Sequence, residues 1–106
     1  MFGNLGEMAG LMKKAKDMQK NMKVAQEEIA NMEARAESGG GLVEAIVGGD
    51  MSLKKICIKS ECLADKETLE DLVLAAVNNA LNDMKAQSQE KLSKVTGGLD
   101  LAKILG

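Results

Sequence analysis

Between Met8 and Met32 the apolar residues recur at alternating steps of three and four: Met8, Leu11, Ala15, Met18, Met22, Ala25, Ile29, Met32. That is a heptad seam, and no proline or glycine interrupts the stretch from Leu11 to Arg35. The spacing predicts a helix from about Leu5 to Met32, on the order of 40 Å long at ~1.5 Å per residue. A chain of 106 residues forms one domain, spanning 1–106, with a modest core. So long a helix outgrows such a globule, and its far end must pack on another helix or on a partner. The seam of Met and Ala is narrow and soft, better suited to packing on another helix than to a strong self-standing coiled coil.

After the helix the texture changes. Ala34 to Ser38 reads as a short strand, Gly39-Gly40-Gly41 as a flexible break, and Leu42 to Val47 is rich in β-formers. Gly48-Gly49-Asp50 marks a turn. Ser52 to Lys59 then alternates, with Lys54, Ile56 and Ile58 on one face and Leu53, Lys55, Cys57 and Lys59 on the other, so Leu42 to Lys59 reads as a hairpin. Asp65 suits an N-cap, followed by Glu67, Glu70 and Asp71 where a helix start favours negative charge. Leu69, Leu72, Val73, Ala76, Val77, Ala80, Leu81 and Met84 keep helical spacing beyond it, weakening towards Val95, and Gly97-Gly98 ends the helix. The tail from Leu99 to Gly106 is apolar enough to pack on something. The fold class is therefore α+β: a long N-terminal helix, a small antiparallel sheet of two or three strands, and a long C-terminal helix.

Histidine is absent, which removes the usual general base near neutral pH and the commonest metal ligand. Cys57 and Cys62 are the only cysteines. Two thiols alone make no zinc site, and without a secretory signal a structural disulfide is not expected; Cys57 reads as buried on its strand and Cys62 as incidental. The glycine triplet leads into Leu42-Val43-Glu44, not into a helix, so it is no phosphate loop. The carboxylates lie on amphipathic helices beside lysines, and nothing marks a pair for acid and base duty. No catalytic residue, metal site or cofactor is expected, and the chain reads as a non-enzyme. The longest strongly apolar run, Leu72 to Val77, is far too short to span a bilayer, so the reading is soluble and cytoplasmic, with no membrane partner.

The net charge is -2, which argues mildly against nucleic acid as a partner, but the charge is unevenly placed. Lys13, Lys16, Lys20 and Lys23 form one stripe opposite the seam, and with Lys14 the stretch from Met12 to Lys23 holds five lysines against Asp17 alone. Further along, Glu27, Glu28 and Glu33 take over. The second helix reverses the order, acidic at its start and basic at its end with Lys85, Lys91 and Lys94 against Glu90. If the helices run antiparallel from a shared sheet, both basic ends meet far from it and both acidic halves lie beside it. Basic arms on an acidic protein are a footprint for gripping phosphates; lysines that merely solvate an amphipathic helix would give the same stripe. Only Phe2 is aromatic, so base stacking on single strands is poorly supplied and duplex DNA fits better. Arg35 is the one arginine, so bidentate reading of guanine is scarce and sequence preference is expected to be weak.

Met1-Phe2-Gly3-Asn4-Leu5, the run Leu11-Met12-Lys13-Lys14-Ala15-Lys16-Asp17-Met18-Gln19, Gly39-Gly40-Gly41-Leu42-Val43, Glu70-Asp71-Leu72-Val73, Ala75-Ala76-Val77-Asn78-Asn79-Ala80 and Thr96-Gly97-Gly98-Leu99 together resemble the YbaB/EbfC family over nearly the whole chain. The resemblance implies a tweezers-like homodimer with a central sheet and projecting helices. It further implies a nucleoid-associated protein of the cytoplasm that binds double-stranded DNA through its N- and C-terminal helices. Here those segments carry Lys13, Lys14, Lys16, Lys20, Lys23, Lys85, Lys91 and Lys94, matched by segment and not residue by residue. The sequence departs from the family pattern at Cys57-Ile58-Lys59-Ser60, where an acidic residue commonly ends the strand, and at Cys62. A rival reading is an adaptor in recombination or repair whose Met-rich seam docks a partner protein, with DNA binding incidental.

Overall fold

The computed structural model describes residues 4–95. The order is α1 (Asn4–Ala30), β1 (Glu33–Ser38), β2 (Val43–Gly48), β3 (Leu53–Ile58), a 3-10 turn (Ser60–Cys62) and α2 (Lys66–Val95). The sheet is antiparallel in the order β1-β2-β3. This is the α+β arrangement expected, with all three strands formed. Gly97-Gly98 and the tail from Leu99 lie outside the described residues.

Local chemistry explains the joints. Gly39, Gly40 and Gly41 turn β1 into β2 with φ of 61°, 67° and 92°, a left-handed run that side chains with a Cβ resist. Between β2 and β3, the Asp50 carboxylate accepts from the Ser52 amide at 3.1 Å and from its hydroxyl at 2.7 Å, an Asx-type turn. At the start of α2, Asp65 accepts from the amides of Glu67 and Thr68 at 3.1 and 3.3 Å and from the Thr68 hydroxyl at 2.7 Å. It satisfies donors that the first turn leaves without intrahelical partners.

Alternation along the strands gives the sheet two faces. Ala34 pairs with Val47, Ala36 with Ala45 and Ser38 with Val43, and this face packs on Ala76, Ala80 and Met84 of α2. The alanines let helix and sheet approach closely, and Met84, Val43 and Val47 fill the space between. The Ser38 hydroxyl donates to the Leu72 carbonyl, fastening β1 to α2. The opposite face carries Arg35, Ile46, Lys55 and Cys57 outside the cluster that packs on α2; Arg35 and Lys55 are exposed and Cys57 half-buried, and Ile46 between them is buried.

The cysteines reverse the expectation. Cys57 is only half-buried, on that opposite face, whereas Cys62 is buried in the 3-10 turn with its thiol 3.7 Å from the Leu42 carbonyl. Cys62 thus belongs to the core beneath the entry to α2.

α1 joins the fold only at its C-terminal end. Ala25 and Ile29 are buried, Met22 and Met32 half-buried, and every residue from Leu5 to Asn21 is exposed. The root is held where the Gly49 amide donates to the Met32 carbonyl at 3.0 Å. The result is a molecule of 77 × 23 × 17 Å with a radius of gyration of 20.6 Å, against about 13 Å for a compact domain of this length.

Candidate nucleic-acid interface

The heptad seam that buries Ala25 and Ile29 turns the opposite side of α1 to solvent, and Lys13, Lys16, Lys20 and Lys23 lie there along roughly 15 Å of helix. Lys14 sits on the flank between stripe and seam. All five are exposed, and among the described residues none forms an ion pair. Their stretch contains Asp17 as its only acid, so the arm carries an uncompensated positive field on a protein that is acidic overall.

The C-terminal lysines are placed differently. α2 runs past the edge of the sheet beside α1, and a groove between them is lined by Asn21, Val24, Ala25 and Glu28 from α1 and Gln87, Glu90, Lys91, Lys94 and Val95 from α2. Lys91 reaches across it to Glu28 at 2.8 Å, and Lys94 lies 3.8 Å from Glu90 on its own helix. The end of α2 therefore meets the acidic half of α1, not its basic half. This corrects the expectation that both basic ends lie together with both acidic halves at the sheet. The overlap is set by the root at Gly49, which leaves residues 4–20 of α1 extending beyond Val95. Lys85 is exposed and, among the described residues, makes no ion pair.

Two contributions to the interface carry no clear signal in the sequence. Glu28, an ordinary surface acid by pattern, holds Lys91 and so binds the end of α2 to the base of the arm. Gly49, a turn residue by pattern, lets the β2–β3 turn touch the α1 backbone: a Cβ there would fall 1.6 Å from the Ile29 carbonyl oxygen. Arg35 pairs with Glu44 at 3.7 Å on the sheet face that carries Cys57, away from the lysine stripe. No group of acidic or cysteine residues able to hold a metal ion occurs among the described residues, and none of their helices is long and apolar enough to cross a membrane.

A small α+β body bearing a bare basic helix defines, by class, a binding protein whose partner is polyanionic. Residues 4–99 match the family model described as the YbaB/EbfC DNA-binding family, and the chain belongs to that family. It is accordingly a DNA-binding protein of the nucleoid-associated kind. Among solved structures it is similar to the uncharacterized protein HP0035 from Helicobacter pylori, with a TM-score of 0.61 and 22% identity over 72% of this chain and 90% of that one; the two share a fold.

Proposed function

We propose that the protein acts as a homodimer, one domain per chain, whose projecting helices straddle duplex DNA in the nucleoid and organise or compact it with little sequence preference. The observation that carries this reading is the α1 stripe: exposed lysines that form no ion pair among the described residues, on a helix whose residues from Leu5 to Asn21 are all exposed. A phosphate backbone neutralises such charges and releases its condensed counterions, which rewards lysine without requiring any base to be read. Lys13, Lys16, Lys20 and Lys23 are the principal contacts, Lys14 and Lys85 lie within reach of a large ligand, and Lys91 and Lys94 contribute less because Glu28 and Glu90 already hold them. The scarcity of arginine and aromatic residues supports recognition of the backbone over the bases. Support for the dimer is the surface left bare: Leu53, Ile58, Leu63 and Leu74 are exposed around β3 and the first half of α2. The total accessible surface is 7782 Å², where a compact monomer of 11.2 kDa would expose roughly 5700 Å².

The test is fluorescence anisotropy of a random-sequence duplex across a salt series, comparing the protein with a variant in which Lys13, Lys16, Lys20 and Lys23 are glutamine. Folding and dimerisation of the variant are verified separately. Each phosphate that goes without its lysine should reduce the log–log salt slope by about 0.9, so the variant's slope should be shallower by up to roughly 3 to 4 for each arm engaged. Binding that is absent at low salt would remove the proposal, and a partner protein captured through high salt would favour the adaptor role.

A further inference from the structure

The row Lys13, Lys16, Lys20, Lys23 advances by three, four and three residues, and the next step of four lands on Glu27. The stripe thus continues along the same line of α1 with its sign reversed. Past Lys23, α1 carries no further cation up to its end at Ala30. Glu27 is exposed and, among the described residues, forms no ion pair. Beside it, Glu28 stands two turns from Lys20 on the row of i,i+4 neighbours that runs through Val24, about 12 Å along the axis. Its carboxylate holds the Lys91 ammonium at 2.8 Å, and the pair is open to water, with the Lys91 side chain 36% exposed and that of Glu28 54%.

We infer that Glu27 and Glu28 are positioning residues that end the DNA footprint at the root of the arm, Glu27 by repelling phosphate and Glu28 by keeping Lys91 from it. The inference rests on the DNA reading above and gives it a boundary. Duplex DNA carries a charge every ~1.7 Å of its axis, so a duplex laid along the stripe and continued past Lys23 sets phosphates against Glu27 within about one further turn of α1. An exposed ion pair is weak by itself. A phosphate that took Lys91 would, however, face Glu28 stripped of its partner and Glu27 beside it, two carboxylates against one ammonium. Lys91 therefore stays on Glu28 while the arm is loaded, and the bridge between the end of α2 and the base of α1 remains closed. DNA is confined to the outer lysines and does not detach the helix that supports them.

The experiment footprints the lysines of the full-length protein by reductive methylation, with and without a random-sequence duplex, reads the labelled peptides by mass spectrometry, and runs the anisotropy salt series alongside. In the unaltered protein the duplex should protect Lys13, Lys16, Lys20 and Lys23 and leave the reactivity of Lys91 unchanged. Glu28→Gln should bring Lys91 under protection and steepen the log–log salt slope by about 0.9 for each arm engaged. Its gain in affinity should then be about 3.5-fold larger at roughly 50 mM salt than at roughly 200 mM. With Lys91→Gln already in place, the same substitution should leave the slope unchanged. Glu27→Gln, which frees no ammonium, should raise affinity by less than Glu28→Gln does. Four results would each overturn the inference: Lys91 protected by the duplex in the unaltered protein, a steeper slope that persists without Lys91, affinity lost in Glu28→Gln, or equal gains from the two substitutions. Stripe lysines left unprotected in the unaltered protein would instead remove the DNA reading itself, and this boundary with it.

Discussion

Replacing Gly49 with alanine tests what fixes the direction of the arm. Gly49 needs no left-handed backbone; its constraint is space. An added Cβ would lie 1.6 Å from the Ile29 carbonyl oxygen and 2.5 Å from its carbon, where real contacts stay above 3.0 Å. Both obstacles are backbone, so turn and helix must part by about 1.4 Å, which strains the Gly49 amide to Met32 carbonyl bond. Overpacking costs ~1–3 kcal/mol and the weakened hydrogen bond ~0.5–1.5, so Gly49→Ala should lose about 2 to 4 kcal/mol. In a domain of this size that lowers the melting temperature by roughly 10 to 25 °C. Gly48→Ala is the matched control. Its Cβ would meet Lys54 Cε at 2.5 Å and Asp50 Oδ1 at 2.8 Å, side-chain atoms that can move where backbone cannot, but moving Asp50 loosens its bonds to Ser52, so the cost should be about 1 kcal/mol, below that of Gly49→Ala. Thermal unfolding followed by helical circular dichroism at fixed protomer concentration compares the two. If Gly49→Ala melts within about 3 °C of Gly48→Ala, the arm root is not clamped by this contact and the reasoning fails. In molecules that do fold, tilting α1 about a root one turn long moves its tip by about 8 Å, so the surviving DNA affinity should also change.

Other perturbations separate body from arm. Met84→Ala empties a fully buried site between sheet and helix and should cost about 2–5 kcal/mol, read as a lower urea midpoint at unchanged slope. The hydroxyl and amide of Ser52, then Lys54, hold the Asp50 carboxyl down to about 2 from the usual 3.8. The Thr68 hydroxyl and the helix amides lower Asp65 in the same sense. A carboxylate favoured by folding stabilises above the unfolded pKa and loses that contribution as pH falls through the folded value. The acid limb of stability between about pH 4 and 2 should therefore flatten in Asp50→Asn, as measured by denaturation at stepped pH. Lys91→Gln should leave the salt slope of DNA binding nearly unchanged while loosening α2 from Glu28, whereas Lys16→Gln should reduce the slope by about 0.9 without affecting the melt.

Both helices and all three strands are legible in the sequence because their signals are local. The seam from Met8, the alternation from Ser52 and the Asp65 cap each prescribe backbone geometry within a few residues. The depth of each side chain is less legible. Along β3, Lys54, Ile56 and Ile58 alternate with Leu53, Lys55 and Cys57, and both sets mix charge with apolar carbon, so the pattern does not say which face meets α2. The expectation of a core Cys57 fails for that reason, while Cys62 enters the core through a turn whose position depends on the cap three residues later. The arm lysines read as a stripe because heptad spacing fixes their direction. Which part of α1 the end of α2 meets has no such signal. The offset between the helices follows from a backbone-to-backbone approach at Gly49, and such an approach leaves no side-chain pattern.

The isolation of residues 4–20 also bears on how the molecule melts. Helices of about this length are marginal in water without tertiary support, and among the described residues α1 gains such support only from Met22 onward. Amide protons along it should exchange with solvent on a gradient, fastest near the tip and slowest at Ile29, with opening energies well below that of the sheet. Duplex or protein bound along the arm would then supply order that the chain does not supply itself, and its affinity would include the cost of completing the helix. Warming should unwind the grip before it unfolds the body, so that DNA is released by molecules whose cores are still intact.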